Sequence, residues 1–519
     1  MQVKSYLRPS ILIADIGTTL CKSLLFEENG RAVASSSHGY ITKRQRPLWA
    51  EQDPDLWWKS FKLTSKTVLK KSKRIEIIGI LGMGHGPVIL DSKDRPIIPC
   101  IIWPDLRAQP QARELRAKVR ELGIERSISG TIQAWYTAAK LLWIQQNYPD
   151  KFKMIRKVML PKDYIRYKLG GGFVTDSMDA AGTQLYDLRL RKWNDHLLEY
   201  LQLNSEQFPD VHSMEEIAGE TTTSAAKETG LRVGTPILTG SGDWGTTPIA
   251  LGNTGVGDGF IYSGTAPCFG ISIDREIDND TLSGSGLFCD PYYQLPGRWM
   301  LWGSLSSAGA ALNWYTEQFE SVSVNTPQRN KSSFKKLEKD ASKIEPGSEG
   351  LIFLPHVMGE RCPENPDARA VLYGLSLGHT RSHIARAIHE GIAFELRKAI
   401  SFVEETSQME FKEITAFGGG MRSKLMAHII SNVLRKRLLL PREQEIGALG
   451  LALVASAVLQ GSPLSYLYAR KLEIASRVEP QMELARRYDK VYKVFRRVED
   501  GVAAVYHEAA NLEETTTES

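Results

Sequence analysis

One aspartate of this 519-residue chain stands in a glycine frame that suits catalysis. In TPILTGSGDWGTTPIALG, residues 235–252, an apolar strand leads into Gly240-Ser241-Gly242, and Asp243 follows where a helix is predicted to begin. Glycines allow another molecule to come close to the backbone, and the N–H groups of a helix N-terminus favour a carboxylate. Asp243 is therefore a candidate general base, which would accept the proton of an attacking hydroxyl group.

Two other segments share the pattern of an apolar strand, a Gly-Thr turn and a returning strand. They are IADIGTTLCKSLLF at 13–26 and FIYSGTAPCFGISI at 260–273, with turns at Gly17-Thr18 and Gly264-Thr265. Backbone N–H groups in such turns, together with Thr hydroxyls, can hold the oxygens of phosphate groups. The pattern therefore predicts two phosphate-binding turns.

A third glycine segment, Gly418-Gly419-Gly420, joins a strand to a helix. Residues 414–417 before it are strand-like, and Leu425, Ile429 and Val433 after it form an apolar stripe at helical spacing. Backbone N–H groups at such a junction can contact a nucleotide. Three glycines alone are weak evidence, and they gain weight from the two Gly-Thr turns.

Taken together, these segments predict phosphoryl transfer, in which positioning and charge neutralisation dominate over covalent chemistry. The turns would hold phosphates, Asp15 would lie near their metal ion, and Asp243 would act on the acceptor hydroxyl. The chain has no P-loop GxxxxGK[ST] and no protein-kinase glycine loop followed by HRD and DFG. The sequence therefore argues against those two kinase classes.

The loop Gly82-Met83-Gly84-His85-Gly86 resembles a dinucleotide-binding loop only superficially. That kind of site needs GxGxxG leading into a helix. Here residue 87 is Pro, and residues 88–91 predict another strand and turn. We therefore disfavour a dinucleotide-dependent oxidoreductase and predict that this loop holds His85 against a substrate.

The composition is that of an ordinary globular protein, with 42% hydrophobic and 24% charged residues. Lys and Arg (65) only slightly exceed Asp and Glu (60), which does not suggest nucleic-acid binding. No apolar run approaches the ~20 residues that span a bilayer, and MQVKSYLRPS predicts no secretion signal. We expect a cytoplasmic protein with no nucleic-acid or membrane partner, and a homodimer stays open. Five scattered cysteines without CxxC predict neither a disulfide framework nor a zinc site.

The elements that would position the candidate residues follow an α/β pattern. Residues 11–14 predict a buried strand, Asn29-Gly30 a hairpin turn, and 53–71 an amphipathic helix capped by Asp53. Because the strand, Gly-Thr turn and strand occur twice, we predict a duplicated α/β architecture. The two predicted domains are residues 1–252 and 253–519.

The ordered motifs resemble the FGGY family of carbohydrate kinases and are most similar to its xylulokinase branch. They are ADIGTT (14–19), GHG (84–86), WPDLR (103–107), LPKDYIRYKLG (160–170), SMDAAGT (177–183), GSGDWG (240–245), YSGTAP (262–267), LPHVMGERCP (354–363) and FGGGMRS (417–423). The resemblance implies a two-domain actin-like fold, with duplicated ribonuclease H-like domains and an interdomain cleft. It also implies ATP and Mg²⁺ as cofactors and a small-molecule sugar or polyol as the phosphoryl acceptor.

The resemblance assigns roles residue by residue, with the sugar and the catalytic Asp243 on the N-terminal domain and the nucleotide on the C-terminal domain. His85, Trp103, Asp105 and Asp243 match the substrate site. Asp15 and Asp243 match the metal side of the site. The ATP-binding positions are Thr18, Thr19, Lys22, Gly264, Thr265, Gly309, Gly419, Gly420, Met421 and Ser423.

Three positions depart from the pattern of related xylulokinases. Gly84 stands where Met is usual, Pro104 where Asn is usual, and Trp244 where Asn is common after the catalytic Asp. Gly84 would open space beside the ligand, and Trp244 would fill some of it and offer a stacking face to a sugar. Both join the predicted substrate-binding residues. We expect phosphorylation of D-xylulose to D-xylulose 5-phosphate or of a related ketose or polyol, with ribulose, glycerol and erythritol as alternatives.

Two other classes of function stay open on the sequence. A non-metabolic actin-like ATPase would form filaments or need a partner for ATP hydrolysis. A kinase-derived sensor would bind sugar tightly without forming ADP.

Overall fold

The computed structural model describes residues 10–46, 48–252, 255–264, 267–282, 284–291, 297–306, 309–319, 335–469 and 472–517. Its contacts divide the chain into two compact units. The first is built mainly from Met1–Gly252 and Glu445–Leu472, and the second mainly from Asn253–Tyr292, Pro296–Gln444 and Glu473–Ser519. The predicted domain boundary after residue 252 stays a prediction. The contacts also show that the segment Glu445–Leu472 packs with the first unit.

The first unit contains a seven-stranded mixed sheet. Its strands are β1 (Ile11–Ile16), β2 (Leu20–Phe26), β3 (Ala32–Gly39), β4 (Ile77–Gly82), β5 (Ile217–Glu220), β6 (Pro236–Leu238) and β7 (Ser241–Gly242). The order is β5-β6-β4-β1-β2-β3, and β7 also pairs with β4. Strands β1, β6 and β7 run parallel to β4, whereas β1, β2 and β3 are joined antiparallel. The apolar run that predicted the first strand is therefore buried in the middle of the sheet.

The second unit repeats this arrangement. Its strands are β8 (Asp258–Tyr262), β9 (Cys268–Ile273), β10 (Leu287–Pro291), β11 (Trp299–Ser304), β12 (Glu413–Phe417), β13 (Leu438–Pro441) and β14 (Ile474–Val478). The order is β10-β11-β9-β8-β12-β13-β14. As in the first unit, an antiparallel pair, β8 with β9, is joined to a parallel strand, β12. The predicted duplicated α/β architecture is confirmed.

Helices and short strand pairs complete the two units. The helices are α1 (Pro54–Val68), α2 (Gln109–Leu122), α3 (Thr137–Asn147), α4 (Pro149–Phe152), α5 (Pro161–Leu169), α6 (Ser177–Ala181), α7 (Asp195–Tyr200), α8 (Thr223–Thr229), α9 (Asp243–Leu251), α10 (Asn279–Leu282), α11 (Gly309–Phe319), α12 (Arg381–Ser407), α13 (Lys424–Leu434), α14 (Ile446–Gln460) and α15 (Met482–Thr517). The pairs are Glu51–Gln52 with Cys100–Ile101, Val88–Leu90 with Lys157–Met159, Val174–Asp176 with Asp210–His212, Tyr186–Asp187 with Lys192–Trp193, Ile352–Leu354 with Val371–Tyr373, and Glu360–Arg361 with Glu364–Asn365. No described helix has both the length and the apolar character needed to cross a membrane.

Helix α1 begins where its sequence predicts, after the Asp53 cap, and ends at Val68, before the predicted end at residue 71. The Asp53 carboxylate accepts a hydrogen bond from the Asp55 N–H, and Pro54 occupies the first position, where no N–H is needed. Trp57 and Phe61 are fully buried on the inner face. Trp58 is buried as well, so this pair of tryptophans packs the core.

Helix α14 packs closely on α9 because Gly450 has no side chain. A Cβ on Gly450 would lie 2.0 Å from the Thr246 carbonyl oxygen, whereas one on Gly447 would first meet the Leu81 side chain, at 3.0 Å. The Thr246 hydroxyl also donates to the Gly447 carbonyl at 2.9 Å. The segment that begins at Glu445 thus fixes the helix that Asp243 starts.

Gly450→Ala is expected to destabilise the protein by about 1–3 kcal/mol, because α14 must move away from the α9 backbone. Thermal unfolding measures the effect. Gly501→Ala in α15 is the matched control, since a Cβ there meets no atom within 4 Å, and Ala should stabilise an exposed helix by up to about 1 kcal/mol. Equal midpoints for Gly450→Ala and the parent protein would contradict the close packing.

Candidate active site

Three parallel strands of the first unit end side by side. Ile16 at the end of β1 pairs with Gly82 at the end of β4, and Gly82 pairs with Gly242 at the end of β7. Residues just beyond these ends therefore share one edge of the sheet. This edge carries the Gly-Thr turn after β1, the loop with His85 after β4 and Asp243 after β7.

The glycines around Asp243 have specific structural causes. Gly240 has φ of +70°, and a Cβ there would lie 2.1 Å from the Ile80 carbonyl oxygen. A Cβ on Gly242 would lie 2.6 Å from Oδ1 of Asp179. Glycine is required at 240 by its φ and by the β4 backbone, and a side chain at 242 would have to displace the Asp179 carboxylate. The frame thus brings the backbone close to β4 and to Asp179. Asp243 then starts α9, with its side chain exposed.

The two candidate carboxylates at this edge both have raised pKa values. Desolvation by the surrounding protein, followed by the charge of Asp15, raises the pKa of Asp243 to about 7, although its side chain is accessible to solvent. Desolvation likewise raises the pKa of Asp15 to about 6, against a lowering by Lys22. Lys22 forms an ion pair with Glu445 at 2.6 Å. Two carboxylates that oppose each other's ionisation are a suitable donor set for a divalent cation.

The first Gly-Thr turn is tied to residues from distant parts of the chain. The Gly17 N–H donates to the Leu20 carbonyl at 3.1 Å and closes the turn. The Trp103 indole N–H donates to the Thr18 hydroxyl at 2.7 Å, and Thr19 is exposed. The structure thus brings Trp103, predicted from the sequence as a substrate residue, into contact with Thr18, predicted as an ATP residue.

His85 is held in an unusual backbone conformation, with φ of +68°. Its Nδ1 lies 2.9 Å from the Gly182 carbonyl, so Nδ1 carries a proton and donates to that oxygen. The ring packs edge-on against Tyr136 at 4.5 Å. A strained, well-supported residue of this kind is often functional.

The loop that carries His85 is also held by Lys140. No role was predicted for this lysine from the sequence. It is fully buried, and its ammonium donates to the carbonyls of His85 (3.3 Å), Ile102 (3.1 Å) and Trp135 (2.6 Å). Its sequence signal is a lysine within the apolar stretch TAAKLLWI. Such a signal predicts burial or exposure equally well, so the sequence alone did not reveal the role.

Asp105 is engaged by protein groups on both carboxylate oxygens. It is fully buried and pairs with the Arg107 guanidinium, with the closest contact at 2.6 Å. It also accepts hydrogen bonds from the N–H groups of Ala50 and Arg107. Arg107 reaches Glu51 as well, at 2.7 Å. A sugar contact of Asp105 stays a prediction, and its geometry is that of a structural ion pair.

In the second unit, the turn after β8 is linked to the triglycine segment. The Ser263 N–H donates to the Phe417 carbonyl at 2.8 Å, and the Gly420 N–H donates to the Ser263 carbonyl at 2.9 Å. This linkage brings Gly264 near Gly419 and Gly420. Thr265 lies outside the described residues.

The remaining predicted ATP residues are distributed along the same unit. Met421 is buried, and Gly309 starts α11. The Ser423 hydroxyl caps α13 through the Met426 N–H at 3.1 Å and donates to Glu338 at 3.0 Å. Their roles toward a nucleotide stay predictions.

A buried network of charged residues lies next to Gly242 in the first unit. The motifs that contain it were given no chemical role from the sequence. Lys162, which is fully buried, has its ammonium 2.5 Å from Asp163, 2.9 Å from Asp176 and 3.0 Å from Asp179. Arg166 adds a second contact to Asp163 at 3.0 Å. Two cations therefore balance three carboxylates only partly.

A separate acidic cluster lies in the second unit. His356, Glu360, Glu395 and Glu499 bring their potential ligand atoms within 4.8 Å of one another. The Lys398 ammonium contacts all three carboxylates, with Glu395 at 2.8 Å. Lys398 already supplies the positive charge that a metal ion would bring, so we interpret the cluster as a buried ion-pair network.

Glu360→Gln is expected to gain stability relative to the parent as pH rises. Burial and Glu395 raise the pKa of Glu360 from 4.5 to about 7, against a lowering by Lys398. The folded chain thus binds this proton more tightly, and Glu360 lowers stability as pH rises through this window. The free energy of unfolding of Glu360→Gln should exceed that of the parent by a difference that grows with pH to as much as about 3 kcal/mol. Thermal unfolding across this pH range measures it, with the exposed Glu483→Gln as control; an advantage independent of pH would contradict the assignment.

The chain has a two-domain α/β fold, and comparisons with known proteins identify its family. Sequence models of the FGGY family of carbohydrate kinases match residues 10–250 with the N-terminal domain and 259–459 with the C-terminal domain. The chain belongs to this family and is a sugar kinase that uses ATP. This confirms the predicted family, fold and class of enzyme.

Individual relatives show which sugar kinases the chain resembles. The xylulose kinase of Escherichia coli K12 is 31% identical over 446 residues, which cover 85% of this chain and 88% of that protein. The crystal structure of a xyloylose kinase from Brucella ovis is 30% identical with a TM-score of 0.81, over 95% of this chain and 99% of that one. A gluconokinase of Bacillus subtilis is 26% identical over 84% of this chain and 85% of that protein. The relatives thus share the sugar kinase activity and differ in the sugar.

Proposed function

We propose that this enzyme phosphorylates a ketopentose, D-xylulose, to D-xylulose 5-phosphate. The observation that carries the proposal is the exposed Asp243 carboxylate at the start of α9, beside Asp15 and the His85 loop at one sheet edge. The similarity of the chain to xylulose kinases supports the choice of sugar. Ribulose, glycerol, erythritol and gluconate are the competing substrates.

In the proposed reaction, Asp243 hydrogen-bonds the acceptor hydroxyl and receives its proton. The hydroxyl oxygen forms a bond to the γ-phosphorus of ATP while the bond from that phosphorus to the bridging oxygen of ADP breaks. A carboxylate whose pKa is raised to about 7 is well matched to a base that works near neutral pH. His85 would contact another hydroxyl of the sugar.

We propose Asp15, with Asp243, as the carboxylates on the metal side of the site. Mg²⁺ prefers oxygen ligands, and bound with the nucleotide it would neutralise negative charge on the phosphates. By their match to the family pattern, we propose Thr18, Thr19 and Lys22 as phosphate-side residues. On the same ground, the proposed ATP-binding residues also include Gly264, Thr265, Gly309, Gly419, Gly420, Met421 and Ser423.

An ADP-release assay over a panel of sugars tests this function. The panel comprises D-xylulose, L-xylulose, D-ribulose, L-ribulose, glycerol, erythritol and D-gluconate, ranked by kcat/KM. Highest kcat/KM for D-xylulose, with ³¹P NMR placing the phosphate on carbon 5, supports the proposal. A higher value for another sugar reassigns the substrate, and sugar binding without ADP release would favour a sensor.

A further inference from the structure

Asp179 lies directly beside the two glycines that precede the proposed sugar-contacting residues. A Cβ on Gly84, next to His85, would lie 3.6 Å from Asp179 Oδ1, and a Cβ on Gly242, next to Asp243, would lie 2.6 Å from it. Asp179 sits on the short helix α6 and is 4% exposed. One carboxylate oxygen is therefore placed between the loops that end β4 and β7.

The other oxygen of Asp179 is anchored. Oδ2 lies 3.0 Å from the Lys162 ammonium, which is itself fully buried and held by Asp163 and Asp176. Burial raises the pKa of Asp179 well above its usual value. Lys162 lowers this pKa and the neighbouring Asp176 raises it, but burial has the largest effect. The carboxyl group is thus fixed in position and is poorly compensated by the protein.

The described residues give Oδ1 of Asp179 no hydrogen bond, and the oxygen that is fully enclosed without one is Oδ2, which faces Lys162. Oδ1 thus keeps its capacity to accept a hydrogen bond from a ligand. Asp176 shows the contrast within the same network. Its Oδ2 accepts hydrogen bonds from the Ser241 hydroxyl at 2.6 Å and from the Met178 N–H at 3.1 Å, so its role is structural.

We propose that Asp179 is a substrate-contacting residue whose Oδ1 hydrogen-bonds a hydroxyl group of the bound sugar. Lys162 fixes the carboxyl group for this contact, and Oδ1 faces the loops that carry His85 and Asp243. The proposal rests on the proposed function, because it takes the edge with His85 and Asp243 as the sugar site. It adds a specificity determinant: Asp179 selects sugars that carry a hydroxyl at one position.

The contact is tested by a thermodynamic cycle in which one change is the substitution Asp179→Asn and the other is the removal of one hydroxyl group from the sugar. We compare kcat/KM of the parent and the variant for D-xylulose and for its monodeoxy analogues. Loss of this hydrogen-bond acceptor should lower kcat/KM for D-xylulose by about 10- to 100-fold. For the one analogue that lacks the contacted hydroxyl, the two proteins should differ by less than about threefold.

Asp176→Asn is the matched control, because it weakens the same Lys162 network without facing either glycine. It should change kcat/KM by a similar factor for every analogue. The proposal is overturned if Asp179→Asn also acts equally on all analogues, or leaves kcat/KM for D-xylulose unchanged. Thermal unfolding of both variants reports the structural loss separately.

The proposed function can fail without deciding this inference. If the parent prefers another sugar of the panel, the same cycle is run with that sugar and its deoxy analogues. If the parent releases no ADP with any sugar, the proposed function fails, and calorimetry with D-xylulose replaces kcat/KM. Equal Kd values for the parent and Asp179→Asn would then overturn the contact.

Discussion

Asp243→Asn is expected to lower kcat for sugar phosphorylation by about 10²- to 10⁴-fold, the usual contribution of a positioned general base. Asn keeps the shape and the position at the start of α9 but cannot accept the proton of the attacking hydroxyl. KM for the sugar should change far less than kcat, because an amide can still hydrogen-bond the hydroxyl group. Steady-state kinetics with sugar-dependent ADP release measures both parameters.

As a control, the stability of the folded Asp243→Asn variant is compared with that of the parent. Asp243 has a pKa raised from 3.8 to about 7, so its ionisation opposes folding as pH rises through that range. Asn removes this effect, and the variant should be at least as stable as the parent at about pH 8. A variant that is folded and as active as the parent would remove Asp243 from the proposed mechanism.

Asp105→Ala is expected to destabilise the first unit by about 3–5 kcal/mol, because it leaves Arg107 partly uncompensated in the interior. Arg107 is buried, and its guanidinium lies 3.5 Å from the centre of the Trp49 ring. It would keep only Glu51 as an ion-pair partner among the contacts described here. The Ala50 N–H would also lose its acceptor. At roughly 2–4 °C per kcal/mol for a domain of this size, the unfolding midpoint should fall by at least about 6 °C.

Lys192→Ala is the matched control for Asp105→Ala. Lys192 pairs with Asp195 at 2.9 Å, and both side chains are more than half exposed. Such surface pairs contribute less than about 1 kcal/mol. If Asp105→Ala unfolds at the same temperature as the control but loses sugar binding, Asp105 acts on the ligand and its ion pair is dispensable.

The local features of the site could be predicted from the sequence because each depends on neighbours along the chain. The strand of residues 11–14, the cap at Asp53 and the glycine frame of Asp243 are short-range patterns, and the structure contains all three elements. The two Gly-Thr segments likewise predicted the duplication that the two sheets share. The ordered motifs were specific enough to predict the family.

The partners of charged residues could not be predicted in the same way. Nothing near Lys140 in the sequence indicates that its ammonium donates to three carbonyls, of which two lie 38 and 55 residues away. Asp105 was predicted in the substrate site, which stays a prediction, and nothing in the sequence indicated its ion pair with Arg107 or the hydrogen bond from the Ala50 N–H. A charged side chain has many possible partners, and only the packing of distant segments selects among them.

The sequence by itself determined the family, the duplicated α/β architecture, the class of reaction and the candidate base, since glycine frames and apolar periodicity are written in adjacent residues. Only the tertiary structure placed Asp179 beside Gly84 and Gly242, and joined the segment from Glu445 to the first unit. The physical reason is that strand pairing brings β1, β4 and β7 to one edge across more than two hundred residues of chain. The side chains that meet there are neighbours in space alone.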